Sequence, residues 1–80
     1  MPVVLRIKGF TFLFYANEGN PREPEHIHVR QGRDETKFWL SPQVRLAYNR
    51  GLSSGALNQA QGLVEEHRAQ LERAWHDFFS

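Results

Sequence analysis

Cysteine is absent from the 80-residue chain. That excludes a disulfide framework and every thiolate metal site, and leaves imidazole and carboxylate as the only strong ligands. No apolar run approaches the roughly 20 residues a membrane-spanning helix needs. The N-terminus carries no apolar stretch followed by a small-residue cleavage site, so no secretory leader is expected. A cytoplasmic protein without membrane contact is the resulting expectation. There is little excess charge of either sign: the net value is +1 with neutral histidines, so global charge points to no polyanion. Missing too are the G-x-S-x-G elbow, the Walker loop, the dinucleotide fingerprint and a helix-borne H-E-x-x-H. With no internal repeat, linker or low-complexity stretch, residues 1–80 read as a single domain, near the size where one core is only just sufficient.

Aromatic residues are plentiful: six Phe and two Trp must supply much of so small a core. Their spacing predicts strands first and helix last. Period-two alternation marks strands over 3–8, 10–15, 26–31 and 35–40, with a fifth possible over 44–47. In the first, Val3, Leu5 and Ile7 share a face. In the second, Phe10, Phe12 and Phe14 do, and Gly9 suits the turn between them. Val44 and Leu46 would point inward from the fifth. Ser53 or Ser54 is placed to cap a helix, with Leu52 as its hydrophobic staple. A stripe at 3–4 spacing then runs through Leu57, Ala60, Val64, His67, Leu71, Ala74 and Phe78, widened by Leu63, Trp75 and Phe79. Its phase continues across Gly62, which predicts one helix over about 54–78, at most gently bent. The expected fold is α+β: an antiparallel sheet of four to five strands with one long C-terminal helix packed on one face.

The stretch Glu25-His26-Ile27-His28-Val29-Arg30 carries the chemistry. As a strand it sends Ile27 and Val29 into a core and His26, His28 and Arg30 to the other side. The two imidazoles then stand roughly 6.6 Å apart along the strand, close enough to share a metal ion, a phosphate or a proton transfer. If they face solvent, alanine at either should cost no more than about 0.5–1 kcal/mol. One imidazole could take a proton while the other gives one. Arg30 and Lys37 are the candidate phosphate ligands beside them, and Tyr15 and Asn17 stand at the mouth of the loop over 16–25. That loop's turn-formers are Asn17, Gly19, Asn20, Pro21 and Pro24. A metal needs a third ligand, from Glu18, Glu23, Glu25, Glu35 or another chain. Glu18 is carried as that ligand, with His26 and His28, if a divalent metal is bound. A histidine that proved buried and bonded to main chain would favour a non-catalytic interaction module instead.

Taken together, Pro2-Val3-Val4-Leu5-Arg6-Ile7 with Gly9, Phe12-x-Phe14-Tyr15-x-Asn17-Glu18, and Glu23-Pro24-x-His26-Ile27-His28-Val29 resemble one small bacterial family of unknown function, DUF4160. So do Lys37-Phe38-Trp39-Leu40, Arg50-Gly51-Leu52-Ser53 and the ending Leu71-x-x-x-Trp75-His76-x-x-Phe79. The resemblance makes His26 and His28 the signature pair. It implies the toxin-like member of a toxin–antitoxin-type gene pair and a small antitoxin-like protein encoded alongside. Arg22-Glu23-Pro24-Glu25 departs from the family's frequent Pro-Pro before the first histidine. The expected function is therefore a toxin-like component acting on nucleic acid, RNA above all, through His26 and His28. Whether it is an enzyme is left open; if it is one, a ribonuclease-like hydrolase is expected, with His26 and His28 catalytic. A non-catalytic protein-interaction module and a small histidine-based metal-binding protein are the alternatives. Association with the antitoxin-like partner, or as a homodimer, is expected to cover an edge strand or the 16–25 loop.

Overall fold

In the computed structural model the described residues are 2–18 and 23–79. Gly19, Asn20 and Pro21, expected to turn the loop, and Arg22, part of the departure from the family pattern, lie outside them. Five strands form an antiparallel meander: β1 (Val3–Ile7), β2 (Phe10–Leu13), β3 (His26–Gln31), β4 (Asp34–Trp39) and β5 (Arg45–Arg50), neighbours in space in that order. Two helices follow, α1 (Ser54–Glu66) and α2 (Arg68–Phe79). Among the described residues no helix is long and apolar enough to cross a membrane.

Local chemistry explains the turns. Lys8 and Gly9 take φ of 53° and 84°, the left-handed pair that lets a two-residue turn follow the twist of its strands. Gly51 has φ of 102°, a conformation that suits glycine. A Cβ there would also collide with the Asp34 carboxylate. Gly51→Ala should therefore cost about 1–3 kcal/mol through backbone strain alone. Chemical denaturation would check this, and a midpoint equal to the parent's would contradict it. Beside Gly51, Asn49 clamps the loop: its side-chain oxygen accepts from the Leu52 amide (3.2 Å) and its nitrogen donates to the Leu52 carbonyl (3.0 Å). Ser53 caps α1, its Oγ accepting from the Ala56 amide at 3.2 Å.

One parity of the sheet forms the core. Phe10, Phe12, Phe14, Ile27, Val29, Phe38 and Leu40 share a single buried cluster with Leu52, Ala60, Leu63, Val64, Leu71 and Trp75. Burying this much apolar surface is the main stabilisation of so small a chain. Cross-strand partners lie on one side of a sheet, so the pairs His26–Trp39, His28–Lys37, Arg30–Glu35, Leu13–His28, Lys37–Tyr48 and Glu35–Arg50 define the opposite parity.

Several sequence expectations are corrected. The helical region continues across Gly62 as expected, but it is two elements and not one, divided at His67. His67 leaves helical geometry at φ −103°, ψ 16°, and its ring Nδ1 donates to the Leu63 carbonyl at 2.9 Å, where the amide of His67 also arrives. A ring bonding back onto its own helix competes with the next turn. The fifth strand spans Arg45–Arg50 and not 44–47, because its ladder to β4 continues through Tyr48 and Asn49 after a register shift beside Phe38. Leu46, expected to point inward, is 45% exposed. A second irregularity, between Val3 and Leu5, takes Val3 off the face of Leu5 and Ile7 and pairs it with Leu13.

Candidate functional site

Period two gives His26 and His28 one direction, away from Ile27 and Val29, and the ladder confirms that direction. What the alternation does not give is cover. Ala16–Glu18 forms a short 3-10 turn after β2, and it brings the Glu18 carboxylate onto the histidine pair. The rings are consequently 0% and 2% exposed, and the expectation of solvent-facing histidines is wrong. The expected small cost of an alanine falls with it, since a substitution at either now opens a cavity and strands polar groups.

Three ligating groups meet here. Glu18 Oε1 lies 2.7 Å from His26 Nε2 and 2.8 Å from His28 Nε2, with Oε2 at 3.0 Å from the latter. One donor atom from each of the three residues lies within 4.8 Å of the others. The other ring nitrogens are each held. His26 Nδ1 sits 2.9 Å from the Pro24 carbonyl, which can only accept, so the proton is on Nδ1. His28 Nδ1 is 3.2 Å from the Tyr48 hydroxyl. That hydroxyl gives its single proton to Glu35 Oε2 at 2.6 Å, so it accepts from His28 Nδ1–H. In the neutral rings both Nε2 lone pairs then point at a carboxylate that has no proton to offer. Three electron-rich groups converging on one point could hold a cation.

The surroundings bear on charge. Burial pushes the His28 pKa down, and the adjacent Glu18 carboxylate pulls against it without prevailing. Burial would raise Glu18, but its contacts with the two imidazoles hold it below the ordinary 4.5. Glu35 is likewise pushed up by burial, yet hydrogen bonds from Tyr15 and Tyr48, with the nearby His28 and Arg30, hold it below 4.5. Both tyrosines are raised, by burial first and then by that same carboxylate.

A group whose folded pKa is depressed stabilises the fold fully above its unfolded pKa and loses that contribution as pH falls toward the folded value. Glu35→Gln removes one such group. At neutral pH it should cost about 1–3 kcal/mol, because two half-buried tyrosyl hydroxyls lose a charged acceptor. Below pH of about 4.5 the variant's stability should fall less steeply than the parent's, since Gln does not titrate. Melting temperatures taken from pH 3 to 7 test this, and two parallel curves would contradict it.

The remaining sequence candidates divide. Tyr15 is in place: its hydroxyl donates to Glu35 Oε1 at 2.5 Å and its ring centroid is 4.4 Å from that of His28. Arg30 is exposed, donating to Glu35 Oε1 at 3.2 Å. Lys37 is buried, paired with Glu23 at 2.9 Å and set 4.5 Å from the Trp39 ring centroid, so it is not a free phosphate ligand. Asn17 lies exposed in the turn, and no hydrogen bond joins it to the cluster among the described residues. Sequence reasoning missed Tyr48 because it ended β5 at residue 47, three residues too early. It named Glu35 only as one of four possible ligands, where the structure makes it the acceptor that orients Tyr48 and, through it, His28. The H-bond from His26 to Pro24 main chain is the arrangement expected of an interaction module. It is equally the bond that fixes a ligating imidazole in the correct tautomer.

Fold and site together define a small α+β protein with two histidines and one carboxylate gathered on its central strand. The chain belongs to the DUF4160 family, a domain of unknown function whose sequence profile matches residues 9–76. No curated protein and no solved structure matches it.

Proposed function

We propose that Glu18, His26 and His28 form a divalent-metal centre, and that metal binding is the primary property of this protein. The observation that carries the reading is the convergence of Glu18 Oε1 and the two Nε2 atoms at 2.7 and 2.8 Å, with both Nδ1 protons spent elsewhere. Two imidazoles and one carboxylate suit zinc or a first-row metal such as iron, and such a set leaves coordination positions for water or substrate. His26 and His28 supply neutral nitrogen, Glu18 supplies charge, and Pro24, Tyr48 and Glu35 hold the rings in orientation. A bound divalent ion would act there as a Lewis acid or lower the pKa of a water. Elemental analysis of protein purified without an affinity tag tests the reading. About one metal per chain is expected for the parent and less than a tenth of that for His28→Ala; equal, near-zero content in both after growth in metal-supplemented medium would oppose it.

The toxin-like role that the family resemblance implies is a second reading: the same residues act on RNA, and a small antitoxin-like partner restrains them. It is favoured by Arg30, an exposed cation on the same strand and parity as the histidines. Growth arrest on induction, relieved by the neighbouring gene product and by His28→Ala, supports it; unaffected growth counts against it. Metal-free acid–base catalysis by the pair is the weaker form, since His26 is fully buried and its Nδ1 is committed to main chain. Chelation distinguishes the two, because it silences a metal centre and leaves a bell-shaped acid–base profile intact.

A further inference from the structure

Charge in this chain is segregated along the sequence. Of its cations only Arg68 and Arg73 fall in the helices, against Glu65, Glu66, Glu72 and Asp77. The sheet is the basic half. Register places Arg6, Arg30, Lys37, Arg45 and Arg50 on the parity that also carries the histidines, where Glu35 is the one strand carboxylate. Arg45 and Arg50 are exposed, and neither forms an ion pair with a described residue.

Aromatic rings are interleaved with these cations. The Arg50 guanidinium lies 4.6 Å from the Tyr48 ring centroid, Lys37 Nζ lies 4.5 Å from that of Trp39, and the Arg30 guanidinium lies 6.0 Å from that of Tyr15. All three rings are half-buried. Because Lys37 pairs with Tyr48 and Trp39 with Arg45, Trp39 and Tyr48 are diagonal neighbours across two strands, about 7–8 Å apart at their backbones. Cations that track a phosphate backbone, alternating with flat rings that accept bases, are the chemistry of single-strand recognition. An acidic peptide would use the cations but leave the rings without a role.

We propose that this face of β3, β4 and β5 binds single-stranded nucleic acid, phosphates on Arg30, Arg45 and Arg50 and bases against Trp39 and Tyr48. The proposal deepens the second reading above by giving the substrate class. It takes from the metal reading only the position of the histidine cluster beside the strand's path.

The test is fluorescence anisotropy with a labelled 12-nucleotide single strand, as RNA and as DNA, at several salt concentrations and with or without chelator. Three phosphate contacts predict a log–log salt slope of about −2. Binding should persist in chelator, which keeps failure of the metal centre distinct from failure of this face. Arg45→Glu with Arg50→Glu should weaken binding at least tenfold and flatten the slope; both sites are exposed, and circular dichroism checks the fold. Trp39→Leu should weaken binding without changing the slope, because it removes stacking and no charge. An absence of binding at low salt, equal affinity for a duplex, or unchanged affinity in the double variant would overturn the proposal. So would equal competition by polyglutamate, which would assign the face to an acidic protein.

Discussion

Trp75→Ala is expected to lower the stability of the chain by about 3–5 kcal/mol, much of what a domain of this size possesses. The indole is 1% exposed and stands where three parts of the molecule meet. Its ring centroid is 5.4 Å from Phe14 at the end of β2, 4.1 Å from Phe79 one turn on, and 4.7 Å from His26. Truncation therefore opens a cavity that α2 cannot close without leaving the sheet. It also removes the wall against which the His26 ring is set, so the variant should lose metal affinity along with stability. Urea unfolding followed by tyrosine fluorescence measures the first effect. A midpoint close to the parent's would show that the aromatic cluster does not hold α2 to the sheet.

A metal should stabilise the protein strongly. A ligand that binds only the folded state, present at a hundredfold excess over its Kd, adds about 2.7 kcal/mol. For a chain of this length each kcal/mol moves Tm by about 4–8 °C, so chelator-stripped protein should melt roughly 10–20 °C higher once zinc or iron is supplied. Glu18→Gln keeps the size of the side chain and removes its charge, and should abolish most of that rise. The rise should also shrink at acid pH, where protons compete with the metal for its ligands. A scanning-fluorimetry series across metals and pH reads all three effects. A rise that is the same in the Gln variant would place the metal elsewhere on the molecule.

Much of the frame was legible because it rests on local chemistry. Period-two alternation located the strands and gave the H-x-H pair its direction, and a left-handed glycine located the first hairpin. Ser53 was one of two candidate caps, and the apolar stripe located the helical region. The missing parts are long-range. No local pattern says that Ala16–Glu18 folds back over β3, so the burial of His26 and His28 and the selection of Glu18 over Glu23, Glu25 and Glu35 required the tertiary fold. The register shift beside Phe38 carried β5 on to Tyr48, and with it came the hydroxyl that holds His28. The break at His67 depends on a ring bonding to the Leu63 carbonyl, which the unbroken 3–4 spacing conceals.

The same contrast explains how strand and site depend on each other. Ile27 and Val29 are held by a core that any α+β chain of this pattern could form, whereas His26 and His28 are held by polar groups from four separate segments: Pro24, Glu18, Tyr48 and Glu35. A buried polar network is costly unless each member is satisfied. Here the two Nδ1 atoms are satisfied by the protein, and the two Nε2 atoms are left facing a carboxylate. An ion bound to all three would complete the network.

Calorimetric titration of chelator-stripped protein with zinc is the most direct test of that claim. The account predicts one site per chain, and no measurable site in His28→Ala that still folds. A flat titration of the folded parent, or an unchanged site in His28→Ala, would contradict it.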